Sequence, residues 1–205
     1  MSGQSGSRGP YAGTAQRRRA IVLEAWDVFG AQGYRGGSLR EISRRVGMSQ
    51  SGILHHFGSK EKLLLAVLDY RESLNRTDVL GSTDLSILER LRLVVQRNLE
   101  IPGILRLFVT MSAEATDPDH PAHDFFVARY EQTLATLAEQ FRLAQLDGSI
   151  TPELDCLGAA RRVAAFLDGI QLQWLLSPDT DMLKAFDQYV REFRALYATA
   201  LSTKA

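Results

Sequence analysis

Three serines in the first third of the chain each precede a short apolar pattern, and this spacing limits the possible folds. Ser38, Ser49 and Ser59 each offer a hydroxyl that can cap a helix. Glu41 follows the first serine by three residues, so that pair is expected to form a capping box. Each of the first two segments has room for about two helical turns, and Gly47 marks a tight turn between them. The spacing therefore predicts two short helices joined by a turn.

Longer helical segments flank the short pair. A first helix is expected behind the basic run at 17–19 and is expected to end near the glycines at 30–33. Its apolar residues at helical spacing are Ile21, Ala25, Val28 and Phe29. Another helix is expected from Ser59 to about residue 75. A helix-turn-helix has this arrangement, and its second short helix enters the major groove of DNA. Because helical hairpins of other all-α proteins share the pattern, spacing alone leaves both interpretations open.

Charge is distributed unevenly, although the formal net charge of the chain is zero. Residues 1–75 contain 11 Lys and Arg against 6 Asp and Glu, a net charge of +5. Residues 76–205 contain 13 Lys and Arg against 18 Asp and Glu, a net charge of −5. A basic N-terminal part favours a polyanion such as nucleic acid as its partner. Solvated helix faces also carry charge, but they do not by themselves separate its two signs.

Composition and run lengths indicate an ordinary soluble chain behind a leader. Residues 1–13 are rich in Gly and Ser and show no apolar period, which predicts a disordered leader. No apolar run approaches the roughly 18 residues of a membrane span, so a soluble and cytoplasmic protein is expected. The single cysteine, Cys156, allows neither an intrachain disulfide nor a cysteine-based zinc site, and it is expected to be buried and inert.

The N-terminal motifs resemble those of the TetR family of transcriptional regulators in order and spacing. They are IVLEAWDVF at 21–29, GY at 33–34, SLREI at 38–42, VGMS at 46–49 and FGSKE at 57–61. The resemblance implies an all-α fold, with a three-helix helix-turn-helix DNA-binding domain and its linking fourth helix at 14–75. A helical effector-binding and dimerisation domain would follow at 76–205. The implied function is that of a repressor that binds a palindromic operator as a homodimer and is released by a small-molecule effector.

Residue by residue, the resemblance implies that Ser38, Gln50, His56 and Lys60 contact DNA. Ser38 and Lys60 lie at helix N-termini, where unpaired N–H groups and the helix dipole favour a phosphate. Gln50 and Ser51 have the chemistry to read base edges, because a Gln amide suits a bidentate bond to adenine. His56 can donate to a phosphate, and the alternative is that it simply packs against its neighbours.

Further DNA contacts are expected from residues near the turn and ahead of the first helix. Ser49 leaves the start of the second short helix small and polar, so it is a further candidate for contact with DNA. Arg40 and Arg44, together with the basic run that begins at Arg17, are candidates for flanking phosphate contacts. Each of these arginines also suits an ordinary solvated surface.

The sequence departs from the usual family pattern at two places in the second short helix. Ser51 stands where the family usually has Gly, and Leu54 and His55 stand where it usually has an aromatic pair. Leu54 can still contact a thymine methyl group, and His55 remains a candidate for contact with DNA. An aromatic contact at these positions is therefore not assumed, and the family does not specify the operator sequence.

Beyond residue 75 the apolar spacing predicts helices throughout, about nine or ten in the whole chain. Pro121 is expected at the first position of one of them. The last two helices carry apolar residues on more than one face, and a twofold partner can cover the second face in an intersubunit four-helix bundle. The predicted interface residues are Val163, Leu167, Ile170, Phe186, Tyr189 and Phe193. The alternative is that both helices are buried inside one chain.

An effector site is also implied by the resemblance, although no sharp motif in the C-terminal part names a ligand class. The expected type of site is an apolar cavity with a few polar groups. Its candidate residues are Arg106, Phe108, Met111, Ser112, Phe126, Tyr130, Gln171 and Trp174. The same pattern of aromatic and Met residues also suits plain core.

No motif in the sequence points to catalysis or a cofactor. Neither a Gly-x-Ser-x-Gly elbow nor a phosphate-binding Gly-rich loop is present, so no enzyme activity, catalytic residue or cofactor is expected. His120 and His123 lie among acidic residues, as ligands of a metal site would. A polar loop that caps a helix explains the same residues, so no metal is predicted. A helical interaction module without DNA function is the remaining alternative, and salt-dependent DNA affinity would distinguish it from a repressor.

Overall fold

The computed structural model describes the backbone of residues 10–75 and 85–199, and it describes the side chains of residues 14–74 and 85–199. Within those ranges the chain forms nine α-helices, and its β-structure is a single bridge between Ile150 and Ala198. The helices are α1 (Pro10–Gly36), α2 (Leu39–Val46), α3 (Gln50–Phe57), α4 (Lys60–Asn75), α5 (Ile87–Glu100), α6 (Pro102–Glu114), α7 (His123–Leu146), α8 (Cys156–Leu176) and α9 (Met182–Tyr197). The predicted all-α fold is confirmed. No helix in the described part of the chain is long and apolar enough to cross a membrane.

The chain divides into two compact units within α4. The N-terminal unit ends at Arg71, and the C-terminal unit begins at Glu72. The domain boundary expected from the sequence, after residue 75, coincides with the end of the same helix. Each unit has its own buried core, so the two are described separately.

Helix α1 begins earlier than the apolar pattern predicts. Residues 10–13, which the sequence analysis assigns to the leader, form the first turn of α1. A proline is well tolerated in that turn. Residues 1–9 of the predicted leader lie outside the described residues. The regular helix is interrupted at Gly33, whose φ of 71° and ψ of 172° are accessible essentially only to glycine and cost other residues about 1–3 kcal/mol.

The core of the N-terminal unit consists of the apolar stripes that the sequence indicates. Its fully buried side chains are Ile21, Ala25, Val28, Phe29, Ile42, Ile53, Leu63 and Leu64. Burial of each large apolar side chain contributes roughly 1.5–3 kcal/mol, so packing rather than helix propensity stabilises the two eight-residue helices α2 and α3. Leu39 and Val46 are only half-buried, because two helical turns present a narrow face to the core.

All three predicted serine caps are present. Each hydroxyl accepts a hydrogen bond from the backbone N–H three residues later, over 3.0–3.2 Å. The second half of the capping box predicted for Ser38 and Glu41 is wrong, since the Glu41 carboxylate accepts hydrogen bonds from Arg44 and Arg45 over 2.7–3.0 Å. Charged guanidinium donors at i+3 and i+4 are stronger partners than the backbone N–H of the cap.

In the C-terminal unit, α8 packs against α6, α7 and α9, and α5 packs against α9. Aromatic side chains fill the contacts between these helices. The rings of Phe141 and Phe193 stack with centroids 5.3 Å apart, and those of Phe166 and Tyr189 stack at 4.6 Å. Such pairs contribute about 0.5–1.5 kcal/mol beyond their burial. The core therefore joins α9 to α5, α7 and α8.

Helix α7 begins at His123, so the prediction that Pro121 is its first residue is wrong. His120 Nδ1 accepts a hydrogen bond from the N–H of Ala122 at 3.2 Å, and His123 Nδ1 lies 2.9 Å from the carbonyl oxygen of Ala115. These contacts hold the proline in a turn, and helical hydrogen bonding begins after it. In the described parts of the chain, no three His, Cys, Asp or Glu side chains group as metal ligands would.

The side chains predicted to form the dimer interface lie mainly inside the C-terminal unit. Val163 and Phe186 have no exposed surface, and Leu167, Ile170 and Phe193 expose at most 8%. Tyr189 is partly buried against the same core. These five side chains are covered within one chain, and their assignment to a dimer interface stays a prediction. Within the same chain, α7 packs against α8 and α5 packs against α9. These contacts cover apolar faces for which the sequence analysis proposed a twofold partner.

Candidate nucleic-acid interface

Two glycines shape the turn between α2 and α3. Gly47 ends α2 with a φ of 70°, and its N–H and that of Met48 both donate to the carbonyl of Ser43. A Cβ added at Gly52 would lie 3.1 Å from Met48 Cε. The start of α3 therefore packs closely against Met48, which lies in the loop between α2 and α3. Glycine adopts the left-handed conformation at little steric cost. The two positions therefore let α3 begin directly after α2.

The first turn of α3 presents small polar side chains to solvent. Ser49, Gln50 and Ser51 are all exposed. Ser49 Oγ caps the helix and lies 2.9 Å from Ser51 Oγ, so each hydroxyl helps to orient the other. Gln50 offers an amide with two donor hydrogens and an acceptor oxygen. This helix start can bring amide, hydroxyl and backbone N–H groups to base edges and phosphates.

The next turn of α3 extends the exposed surface. Leu54 and His55 follow Gln50 and Ser51 by four residues, so these four side chains form one face of α3, here called the recognition face. Leu54 exposes 37% of its surface, which leaves apolar area for a thymine methyl group. His56 is half-buried beside this face, with its ring centroid 5.8 Å from that of His55. This half-buried position is compatible with donation to a DNA phosphate and equally with packing against neighbouring side chains.

Arg18 joins α1 to the end of α3, a role that the sequence did not reveal. Its Nη1 donates a hydrogen bond to the carbonyl oxygen of His56, and its guanidinium carbon lies 4.2 Å from the centroid of the Phe57 ring. Both contacts act on the last turn of the helix that carries the recognition face. The basic run at 17–19 signals positive charge, but nothing local in it separates the arginine that packs on α3 from its neighbours.

Lys60 begins α4 above an aromatic surface. Its Nζ lies 4.5 Å from the centroid of the Tyr34 ring and 5.9 Å from that of Phe29, distances typical of cation–π contacts. Partial burial lowers the pKa of Lys60, while the charge of Glu61 acts to raise it. The Tyr34 hydroxyl donates to Glu61 Oε1 at 2.9 Å, and burial together with this bond raises the pKa of Tyr34. The ammonium is thus held beside the first turn of α4, where it adds to the positive end of the helix dipole.

The other predicted phosphate contacts differ in their local partners. Ser38, Arg17 and Arg40 are exposed. Arg44 is exposed as well, but it pairs with Glu41 within α2 at 2.8 Å. Hydrogen bonds from Arg44 and then from its neighbour lower the pKa of the Glu41 carboxyl to about 2. Part of the positive charge that the sequence assigns to DNA contact is therefore balanced inside α2.

The eight predicted effector residues differ in their burial, and their assignment to an effector site stays a prediction. Phe108, Met111, Phe126 and Gln171 are buried, Ser112, Tyr130 and Trp174 are half-buried, and Arg106 is exposed. Phe108 and Phe126 meet edge to face with centroids 5.0 Å apart, which is the packing of ordinary core. Ser112 donates to the carbonyl oxygen of Val109 in its own helix at 2.8 Å.

Two of these residues belong to a group of charged and aromatic side chains, here called the Arg129 cluster. The guanidinium carbon of Arg129 lies 4.6 Å from the ring centroid of Phe108 and 5.3 Å from that of Tyr130. Arg129 Nε lies 3.2 Å from a carboxylate oxygen of Glu72. The Tyr130 hydroxyl donates to Asp168 Oδ2 at 2.6 Å, and burial followed by this bond raises the pKa of Tyr130 to about 12. The sequence offers no signal for the three charged members, since their partners lie far away along the chain.

Comparison with known proteins extends over both units. Residues 21–67 match the family described as bacterial regulatory proteins of the tetR family, and residues 88–196 match the C-terminal part of BetI-type transcriptional repressors. The regulator TtgR of Pseudomonas putida is 27% identical over 191 residues, which cover 86% of this chain and 89% of that protein. The A-factor receptor protein of Streptomyces griseus is 27% identical over 166 residues, and the match spans 56% of its length.

A solved structure has the same architecture. The crystal structure of a transcriptional regulator from Saccharomonospora viridis in complex with choline superposes with a TM-score of 0.73 at 26% identity, covering 88% of this chain and 96% of the other. The N-terminal match contains α2, α3 and the recognition face, and the C-terminal match runs from α5 to α9. This chain therefore belongs to the TetR family of bacterial transcriptional regulators.

Proposed function

We propose that this regulator is a repressor that binds a palindromic operator as a homodimer and leaves it when a small-molecule effector binds. The observation that carries the proposal is the recognition face, which is exposed on a helix whose opposite side, Ile53 and Phe57, is buried. The family match over 21–67 contains all of these residues. As for other regulators of this family, the proposed site of action is the cytoplasm and no catalytic role is assigned.

Base and phosphate contacts are divided between different residues in this proposal. Gln50 and Ser51 read base edges, and Leu54 packs on a thymine methyl group. A well-formed bidentate contact to a base contributes about 1–3 kcal/mol of discrimination. Ser38 and Lys60, at the N-termini of α2 and α4, bind phosphates and fix the register of the protein on DNA without reading sequence. The exposed Arg17 and Arg40 add flanking phosphate contacts.

The outer face of α8 supports a homodimer that uses other residues than those predicted. Leu157, Leu172 and Leu176 expose 45%, 48% and 78% of their surfaces. Between them, Ala165 is exposed and a Cβ added at Gly169 would meet nothing within 4 Å. The last four of these positions repeat every three to four residues along one side of the helix, and Leu157 lies about two turns before Ala165. A twofold partner on this face would give the dimer that a palindromic operator requires, whose half-sites lie about 34 Å apart.

The Arg129 cluster supports an effector site in the C-terminal unit but argues against one ligand class. The Saccharomonospora viridis regulator was crystallised with choline, and quaternary ammonium groups bind to aromatic faces. In this chain the guanidinium of Arg129 already lies over the rings of Phe108 and Tyr130. Because a cationic ligand would compete with that guanidinium, we propose that the effector of this protein is not a quaternary ammonium compound.

Operator binding is tested with DNA from the intergenic region upstream of the gene that encodes this protein. Affinity is measured at two salt concentrations by fluorescence anisotropy, with unrelated DNA of the same length as the control. We expect tight, sequence-dependent binding of two protein chains per site, with an affinity that falls steeply as salt rises. Gln50→Ala should weaken binding to the specific DNA by about 5–150-fold, corresponding to 1–3 kcal/mol.

Lys60→Ala is the matched variant for phosphate contact. It should weaken binding to specific and unrelated DNA to a similar degree and reduce the salt dependence by about one released counterion. If neither intergenic DNA nor operators selected from random DNA bind better than unrelated DNA, the proposed repressor function is wrong. If specific DNA binds but Gln50→Ala leaves affinity unchanged, the assignment of base contacts to the recognition face is wrong.

A further inference from the structure

A pocket of about 330 Å³ lies in the C-terminal unit between the start of α5, the last turns of α7 and the end of α9. None of the predicted effector residues lines it, and it shares no residue with the Arg129 cluster. Its apolar wall includes Leu88, Phe141, Leu143, Ala144, Ile150 and Phe193. The volume lies near the lower end of the range for small-molecule sites, about 300–1,000 Å³. A compact ligand is therefore the size class that fits.

The charged groups of this pocket are mainly cationic. Arg90 lines it and exposes only 8% of its surface, and its Nη2 donates to the side-chain oxygen of Gln140, another lining residue. Arg194 lines the exposed rim, with Nη2 3.8 Å from a carboxylate oxygen of Glu89 outside the lining. Among the described residues, Asp147 is the one carboxylate that lines the pocket, and it accepts hydrogen bonds from the backbone N–H and the hydroxyl of Ser149. The described lining therefore carries two guanidinium groups and one carboxylate.

We infer that this pocket binds a small amphipathic carboxylate. The apolar part of such a ligand would lie against Phe141 and Phe193, whose stacked rings form part of the wall. Its carboxylate would lie toward Arg90 and Arg194, because the planar guanidinium fork matches a carboxylate with two hydrogen bonds. Burial of Arg90 reduces solvent screening of this interaction. The pocket shares no lining residue with the recognition face or with the Arg129 cluster.

The first test compares three probes that share a phenylbutyl group and differ in their head groups. 4-Phenylbutyrate, 4-phenyl-1-butanol and 4-phenylbutylammonium are titrated into the full-length protein by isothermal calorimetry in the absence of DNA. The carboxylate should bind at least about tenfold more tightly than the alcohol, because a charge-assisted hydrogen bond contributes more than a neutral one. The ammonium probe should bind most weakly. Equal affinities, no binding of any probe, or tightest binding of the ammonium would overturn the inference.

Variants then locate the binding event. Ala144→Trp, which places a large side chain in the wall, should abolish binding of 4-phenylbutyrate. Arg194→Gln should weaken it several-fold with little risk to folding, since this side chain is half exposed. Arg142→Gln is the matched control, because Arg142 lies on the same helix as Ala144, pairs with Glu139 and does not line the pocket. Circular dichroism and thermal melting verify that each variant is folded.

The outcomes of these variants decide between this pocket and any other site. Loss of 4-phenylbutyrate binding in Ala144→Trp and Arg194→Gln, with normal binding in Arg142→Gln, supports the inference. Unchanged binding in folded Ala144→Trp and Arg194→Gln overturns it, because the probe would then bind elsewhere. Since ligand binding is measured without DNA, failure here leaves the proposed operator binding unaffected, and a failure of operator binding leaves this test valid.

Discussion

The guanidinium of Arg18 lies 4.2 Å from the centroid of the Phe57 ring, so α1 holds the end of α3 directly. Its Nη1 also donates to the carbonyl oxygen of His56. The recognition face lies on the same short helix, within the two turns that precede Phe57. A basic residue in this position therefore supports the orientation of the DNA-reading side chains as well as adding positive charge.

Replacement of Arg18 by Ala should lower the stability of the N-terminal unit by about 1–2 kcal/mol, the combined contribution of an exposed cation–π contact and one hydrogen bond. Denaturant unfolding measures this loss. The Arg17→Ala variant is the control, because the exposed Arg17 is proposed to contact phosphate. It should leave stability unchanged and reduce the salt dependence of DNA binding instead. If both variants have the same stability as the parent protein, the structural role assigned to Arg18 is wrong.

Gly47→Ala should destabilise the protein by about 1–2 kcal/mol, because Gly47 has a φ of 70° that an alanine adopts only with strain. Gly36→Ala provides the comparison, since Gly36 has an ordinary helical backbone and its added Cβ would meet only Gln32 Cβ at 3.4 Å. That substitution should be neutral or slightly stabilising. Equal effects of the two substitutions on the denaturation midpoint would contradict the conformation assigned to the turn.

Core and interface roles in α8 and α9 are separable by mutation. Phe186 is fully buried within one chain, so Phe186→Ala should lower the free energy of unfolding by about 3–5 kcal/mol. Leu176 exposes 78% of its surface, so Leu176→Glu should leave the fold of a single chain intact. If the outer face of α8 forms the dimer, this variant should raise the dimer dissociation constant at least tenfold in sedimentation equilibrium. Leu146→Glu is the control, because Leu146 is similarly exposed at 71% but lies on α7.

Glu41 is expected to make stability depend on pH in the acid range. Its folded-state pKa is about 2 against an ordinary value of 4.5, chiefly because of hydrogen bonds from Arg44 and Arg45. Since the pKa is lowered in the folded state, the stabilising effect is complete above about pH 4.5 and is lost as the pH falls towards 2. A carboxyl NMR titration of Glu41 should show this low value. A midpoint near 4.5 would mean that the pairing is absent in solution, where exposed ion pairs often contribute little.

Choline should not release this protein from DNA, because Arg129 lies over the aromatic rings that a quaternary ammonium group would need. The measurement is operator affinity by fluorescence anisotropy with and without millimolar choline, with sodium chloride added at equal ionic strength as the control. The dissociation constant should agree within twofold between the two conditions. A choline-specific rise in the dissociation constant would show that the ligand displaces the guanidinium and would remove the objection to a cationic effector.

Local sequence signals were sufficient for most of the N-terminal unit. The serine caps at 38, 49 and 59 and the apolar spacing of Ile21 to Phe29 predicted the helices, and the structure confirms them. These features depend on hydrogen bonds and side-chain positions within a few residues, so they can be recognised before the chain is folded. The exposed polar start of α3 was predictable for the same reason.

Tertiary structure alone decided which side chains meet across the chain. Arg18 reaches Phe57, and Arg129 reaches Glu72, because packing brings helices together that are remote in sequence. The same packing buried Val163 and Phe186, which the sequence pattern equally allowed at a dimer interface. An apolar stripe shows that a helix face needs cover, but it does not show whether that cover comes from the same chain or from a partner. The sequence by itself therefore determined the helices, their caps and the family, whereas the partners of the charged and apolar side chains depended on the fold.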